Sequence, residues 1–149
     1  MQSQSSIKTV SWQRNGLAII RITTGLLIIY HGMEIFQPEI MNMYLGWDVI
    51  KSLPFPVFMT YFGKGIELVT GVCMALGLFT RLAALLLTLN MLFICFYVGS
   101  GKFYYEDQHP FIFAMLAMVF FFSGSVKFGL DNRLFKDNPV TFSFLRSKR

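Results

Sequence analysis

A chain of 149 residues that is 54% hydrophobic, 17% aromatic and only 14% charged is too apolar for an ordinary soluble domain and reads as one domain folding in lipid. Its formal charge of +5 comes without any nucleic-acid-binding motif, so the basic surplus is assigned to anionic lipid and not to DNA or RNA.

Four apolar runs, roughly 16–36, 56–79, 82–99 and 110–126, are long enough to span, since crossing a hydrocarbon core of ~30 Å takes about 20 helical residues. None has the dyad alternation of a transmembrane barrel strand, and helices are then the remaining way to satisfy the backbone in lipid. The expected fold class is all-α: an integral membrane four-helix bundle, with a polar N-terminal arm over 1–15, the bundle over 16–126 and an amphipathic basic tail over 127–149.

In chain order, the arm carries Trp12 as an interfacial anchor and no chemistry. The first run is followed by FQPEIMNMY and by no small-x-small cleavage site, so it reads as an uncleaved helix. At ~100° per residue, Arg21, Thr24, Gly25, Ile28, His31 and Gly32 share one arc of it, with Glu34 just beyond. Arg21 lies low enough to snorkel toward the inner headgroups. The connection QPEIMNMYLGWDVIKSLPFP is bracketed by helix-ending and helix-starting prolines. Its Tyr44 and Trp47 suit a short interfacial helix over the mouth of the bundle, either a lid or a segment lying in the headgroups.

The second run contains GKGIELVTG, in which Lys64 and Glu67 stand where hydrocarbon is expected. Thr60, Gly63, Lys64, Glu67, Thr70, Gly71 and Ala75 fall within one arc. Gly63, Gly71 and Ala75 lie on an i, i+4 row with Glu67, a spacing that lets another helix approach closely, and Gly25 and Gly32 offer the matching face on helix one. An unpaired charge at bilayer depth costs at least ~3 kcal/mol, so these charges need partners. Depth matching at ~1.5 Å per residue brings His31 and Glu34 level with Lys64 and Glu67, with Asn90 on the third helix as a further member. Two readings stay open for this set: a buried ion pair that fixes helix register, or a site for a small polar ligand, a quinone headgroup or a proton.

The short link from Phe79 to Leu82 makes helices two and three antiparallel neighbours. Cys73 and Cys95 differ in depth by ~10 Å, beyond the ~7 Å between bridged Cα atoms, so no internal disulfide is expected. The loop GSGKFYYEDQHP leads into a helix at Pro110, and its His109, Glu106 and Asp107 read as loop polarity; no metal site is expected. Lys and Arg concentrate at one set of ends, against only Lys51 and Lys102 at the other. By the positive-inside rule both termini are cytoplasmic, and loops 37–55 and 100–109 face outward.

YHGMEIF at the end of helix one, GKGIELVTGVCMALGLFTRLAAL across helices two and three, and the closing FGLD together resemble the DoxX family of small four-helix membrane proteins. The resemblance makes His31, Gly32 and Glu67 the family-like polar positions. Where relatives often carry lysine after the HG pair this chain has Glu34, and Lys64 stands on helix two, so the charges are exchanged between helices. The resemblance implies a multi-pass protein of the bacterial inner membrane, serving as a membrane subunit of a quinone- or thiol-linked oxidoreductase system. The alternative is a non-enzymatic accessory or assembly subunit; a small transporter ranks last, because one pocket in four helices leaves little room for alternating access. The chain has no dinucleotide-binding fingerprint, iron–sulfur ligand set or haem-binding histidine pair, so no cofactor is encoded and a diffusible quinone is the candidate. Expected partners are the lipid bilayer and other membrane subunits or further copies of the chain.

Overall fold

The computed structural model describes residues 2–125 and 128–131, with side chains from residue 12 onward. The basic tail expected over 127–149 lies almost wholly outside these residues. Every regular element among them is helical: α1 Gln2–Gly32, α2 Pro38–Leu45, α3 Asp48–Lys51, α4 Pro56–Leu76, α5 Thr80–Phe93 and α6 Gln108–Ser123. A 3₁₀ turn, Met33–Phe36, continues α1, and a π turn, Ile94–Val98, continues α5. The backbone of the polar arm is helical, and α1 runs through it unbroken from Gln2.

Two segments, Trp12–Phe36 and Thr80–Val98, are long and apolar enough to cross a membrane. Of the other two expected spans, α4 has the length, at 21 residues, but Lys64 and Glu67 lower its hydropathy. α6 is apolar from Pro110 to Phe122 but has only 16 residues in all, about 24 Å of helix. α1 packs most extensively on α4, α5 on α6, and α4 on α5, whereas α1 and α6 touch only slightly.

The α1–α4 seam is close because it lacks side chains where the helices cross. A Cβ at Gly32 would stand 2.5 Å from the Leu68 nitrogen, one at Gly71 would stand 2.8 Å from the Ile29 nitrogen, and one at Gly25 would run into Ala75. Between α5 and α6 the same economy comes from Ala83, Ala84, Ala114 and Ala117, buried beside Leu87, Met91, Phe113 and Phe120. Threonines on these helices satisfy their hydroxyls locally, as Thr24, Thr70 and Thr88 each donate to the carbonyl four residues back at 2.6–2.8 Å. Such bonds make a hydroxyl tolerable where no water competes. Large apolar side chains such as Leu26, Val69, Leu89 and Phe122 are exposed on the outer faces, as lipid solvation requires.

At the lower end of the bundle, where α4 turns into α5, Gly77 takes φ +66° and the Leu78 N–H closes back on the Cys73 carbonyl at 2.9 Å, a left-handed helix stop. Phe79, at φ +46°, gives α5 no side-chain cap of its own. The FGLD segment supplies one: the Asp131 carboxylate accepts the Phe79 N–H at 2.7 Å, and the Thr80 N–H and hydroxyl at 3.1 Å each. Leu130 and Asp131 in turn donate their N–H groups to the Leu76 and Gly77 carbonyls at the end of α4.

Candidate functional site

The site is built at the upper end, where α1 tightens into its 3₁₀ turn beside the first half of α4. The extra winding carries Glu34 toward α4, and its Oε2 lies 2.8 Å from the Lys64 ammonium nitrogen. One helical turn deeper, Glu67 Oε2 lies 2.9 Å from the same nitrogen. Lys64 thus bridges two carboxylates, Glu34 from the end of α1 and Glu67 from its own helix. Glu67 is 2% exposed and Lys64 and Glu34 are mostly buried. Charges this dry persist only when compensated, and one ammonium between two carboxylates is a compact way to do it.

His31 stands 3.5 Å from the other Glu34 oxygen, so four of the five polar positions singled out above meet in one network. The fifth, Asn90, does not touch the charges. Its side-chain amide donates to the Gly63 carbonyl at 3.4 Å, across the cleft between α4 and α5. Gly63 also departs from its expected place, since it faces Asn90 on α5 and not α1; the nearest atom to an added Cβ would be Asn90 Oδ1 at 3.5 Å. The glycine row drifts round the helix because 3.6 residues per turn does not divide four.

Tyr44 is a site residue that sequence reasoning left in the interface. Pro38 opens α2, and the helix lays Tyr44 over the cluster, where its hydroxyl donates to Glu34 Oε2 at 2.6 Å. The Lys64 ammonium also lies 5.1 Å from the centre of the Tyr44 ring, within cation–π range. Burial first, and then the hydrogen bond to Glu34, push the Tyr44 phenol up to about 12. The signal was present in the sequence as an aromatic residue on a short helix above a charged pocket.

Beneath α2 and α3 lies a cavity of about 320 Å³. Its roof includes Tyr44, Trp47 and Leu53, its α4 wall Phe62 and Ile66, and its α5 wall Phe93 and the π turn. Lys64, Glu67 and Asn90 supply its polar floor. α4 and α5 are joined at the lower end by the tight turn at Gly77, and the cavity lies between their upper halves and the α2–α3 connection.

His109, read above as loop polarity, also belongs to the network's edge. The Asp107 carboxylate accepts the Ser100 N–H and hydroxyl at 2.9 Å and the Lys102 N–H at 3.0 Å, which fixes the loop entering α6. Desolvation would raise the Asp107 carboxyl, but those hydrogen bonds outweigh it and hold it below the usual carboxylate range. The His109 ring then packs edge-on against His31, centroids 4.9 Å apart, and against Phe113 at 4.8 Å.

Arg21 does not snorkel. It is fully buried at the lower end, and none of its three guanidinium nitrogens has a hydrogen-bond partner among the described residues. It lies against Gly77, where a methyl group would collide with it, at the carbonyl end of α4 and within the electrostatic reach of Asp131. A helix C-terminus and a nearby carboxylate are both favourable surroundings for a cation. Cys73 and Cys95 are free thiols, and among the described residues no three His, Cys, Asp or Glu side chains are grouped to hold a metal ion.

The DoxX family model matches residues 16–100, a stretch that includes α2 to α5, the cavity and every charge of the cluster. An "Uncharacterized protein" of Haemophilus influenzae is 30% identical over 127 residues, covering 80% of this chain and 91% of its own length. A Bacillus subtilis protein named "Putative oxidoreductase CatD" is 28% identical over 122 residues, covering 81% of this chain and 88% of its own. No solved structure matches the chain.

Proposed function

The chain belongs to the DoxX family, and on that premise we propose that it is a membrane subunit of a quinone-linked oxidoreductase system whose lipid-soluble ligand docks in the cleft between α4 and α5. The observation that carries the reading is the cavity of about 320 Å³ with aromatic and aliphatic walls and Lys64, Glu67 and Asn90 at its floor. That volume is at the lower end of the ~300–1,000 Å³ of small-molecule sites. An apolar ring with a polar edge suits such walls and such a floor. Lys64 and the Asn90 amide would donate to a ring oxygen, while Trp47, Phe62 and Phe93 would hold the ring. When bound, a quinone supplies two-electron, two-proton acceptor chemistry; the electrons come from the partner subunits of that system. The similarity to a protein named as an oxidoreductase supports the coarse class.

In this reading the protein crosses the inner membrane four times, with both termini cytoplasmic and the His31 end outward. α4 spans despite its charges because they compensate one another, and α6 spans together with the polar segments at either end of it. The ligand reaches the cavity sideways from the outer leaflet.

The test uses the tryptophan in the roof. With Trp12 changed to Phe, Trp47 is the sole tryptophan of the chain's two, and a short-tailed ubiquinone analogue titrated into nanodiscs should quench it saturably. Lys64→Met should weaken that binding by about tenfold or more, the equivalent of the ~1.5–3 kcal/mol of a charged hydrogen bond. Quenching that rises linearly with the analogue's concentration in the lipid, equal in both proteins, would overturn the reading.

A further inference from the structure

Holding a ring in the cleft uses Lys64, Glu67 and Asn90, and leaves His31 and His109 without a task. These are the only two histidines in the chain, they come from opposite ends of the fold's sequence, and their rings touch. His109 is exposed at the surface beside the loop entering α6. His31 is about one-third exposed and lies 3.5 Å from Glu34. From Glu34 the path continues to Lys64 at 2.8 Å and to Glu67 at 2.9 Å. An unbroken file of titratable groups therefore joins the upper aqueous surface to a carboxyl group that is 2% exposed.

We propose that His109 and His31 form a proton relay that exchanges protons between the surface at the upper end and the buried Glu34–Lys64–Glu67 cluster. The relay rests on reading the pocket as a site of proton-coupled chemistry, and it assigns that chemistry's protons to the outward face in the orientation given above.

Each group in the file lies beside the one that follows it. The cluster holds two carboxyl groups to one ammonium, so it reaches neutrality by taking one further proton, and His31 is the neighbour that can bring it. Facing His31 are Glu34 on the adjoining turn, the Tyr30 ring, His109 and Phe113 from α6, and Glu67 through space from α4. Partial burial, followed by the neighbouring His31, holds His109 below the usual imidazole range, which suits a group that must give its proton up. An imidazole can take a proton on one nitrogen and release one from the other, and its ring turns over a broad torsional well.

In sequence, His109 passes its proton to His31, and His31 Nδ1 passes one to Glu34 Oε1. Lys64 gives a proton to Glu67 and is restored by the one on Glu34. Each N–H or O–H bond broken is matched by one formed; the net change is one proton moved from the surface to Glu67.

The experiment is a pH jump on the full chain in nanodiscs, following the protonated-carboxyl infrared absorption that is absent from Glu67→Gln. His109→Phe, at an exposed position, should slow the appearance of this signal by ~10²-fold, the usual contribution of a positioned acid or base. His31→Gln should do the same, and added imidazole should restore the rate in His109→Phe. Unchanged rates, a wild-type protein without the carboxyl signal, or a slowing that imidazole fails to reverse would each overturn the relay, the last by giving the histidines a packing role only. Saturable Trp47 quenching by the ubiquinone analogue, measured on the same samples, reports the ligand reading separately, so either idea can fail while the other stands.

Discussion

Lys64 should be the costliest single residue to remove from the cluster, and its loss should be partly repaired by removing Glu67 as well. In Lys64→Met, two carboxylates that each lay within 2.9 Å of an ammonium face one another without a cation. Breaking a buried pair in this way costs ~3–5 kcal/mol. In Glu67→Leu, by contrast, Lys64 keeps Glu34 at 2.8 Å and its contact with the Tyr44 ring. The cost is then one charged hydrogen bond, ~1.5–3 kcal/mol, less whatever is gained by burying leucine in its place. The double variant leaves only Glu34, which still has Tyr44 at 2.6 Å and His31 at 3.5 Å. Its cost should fall short of the sum of the singles by roughly 2 kcal/mol, within the ~0.5–3 kcal/mol of coupled neighbours. The assay is equilibrium unfolding in mixed micelles, titrated with a denaturing detergent and followed by circular dichroism. Additivity within ~0.5 kcal/mol would refute the bridge, and so would a Glu67→Leu penalty larger than that of Lys64→Met.

Two glycines of the same row should respond oppositely to alanine in that assay. Gly71→Ala, whose Cβ meets backbone atoms of α1 at 2.8–3.0 Å, should destabilise by ~1–3 kcal/mol, and Gly63→Ala, with only Asn90 Oδ1 at 3.5 Å, should be neutral or gain up to ~1 kcal/mol of helix propensity; equal effects would mean that α1 does not sit on Gly71. Asp131→Ala removes three hydrogen bonds from the start of α5 and should cost ~1–2 kcal/mol, as lost helix caps do, with a change below ~0.5 kcal/mol counting against a cap supplied from across the chain. Tyr44, raised from 10.0 to about 12, stabilises the fold fully below pH 10 and loses that contribution as the pH climbs through its folded value. Ultraviolet titration should accordingly show a late-ionising tyrosine that is missing from Tyr44→Phe, and a titration unaltered by the substitution would place Tyr44 away from Glu34.

What the sequence made legible follows from periodicity. The arc holding Arg21, Thr24, Gly25, Ile28 and Gly32 is the buried face of α1, because 100° per residue needs only an unbroken helix to hold. Depth matching along two antiparallel helices likewise needs only a rise per residue, and it puts His31, Glu34, Lys64 and Glu67 at one level. The parts that periodicity could not supply lie where the helix ends. The 3₁₀ turn at Met33 swings Glu34 in, α2 folds back to hang Tyr44 above it, and the loop at Asp107 seats His109 on His31. Each depends on a local winding change or on a contact between segments far apart in sequence. Arg21 escaped for another reason: snorkelling presumes open headgroups at that depth, whereas FGLD folds over the lower end and holds Asp131 near the guanidinium.

The placement of lysine on α4 and glutamate at the end of α1 has a structural consequence beyond keeping a pair. A lysine on α4 shares its helix with Glu67, three residues on, so it can bridge two carboxylates at once, whereas a lysine at position 34 would approach Glu67 only from across the α1–α4 seam. The ammonium thereby lies on the cleft side of that seam, where it lines the cavity together with Glu67 and Asn90, while Glu34 remains on the side of His31. The seam sets Lys64 and Glu67 on the side of the cavity and Glu34 on the side of His31, and Lys64 is the group that joins the two sides. Swapping the pair, as Glu34→Lys with Lys64→Glu, should therefore preserve the charge count and much of the stability but remove the cation from the cavity floor. Ubiquinone-analogue binding should fall by about tenfold or more in the swapped protein, as for the loss of one charged hydrogen bond, while its unfolding free energy stays closer to wild type than that of Lys64→Met. Equal binding in the swapped and native proteins would show that charge balance alone matters and that the side of the seam does not.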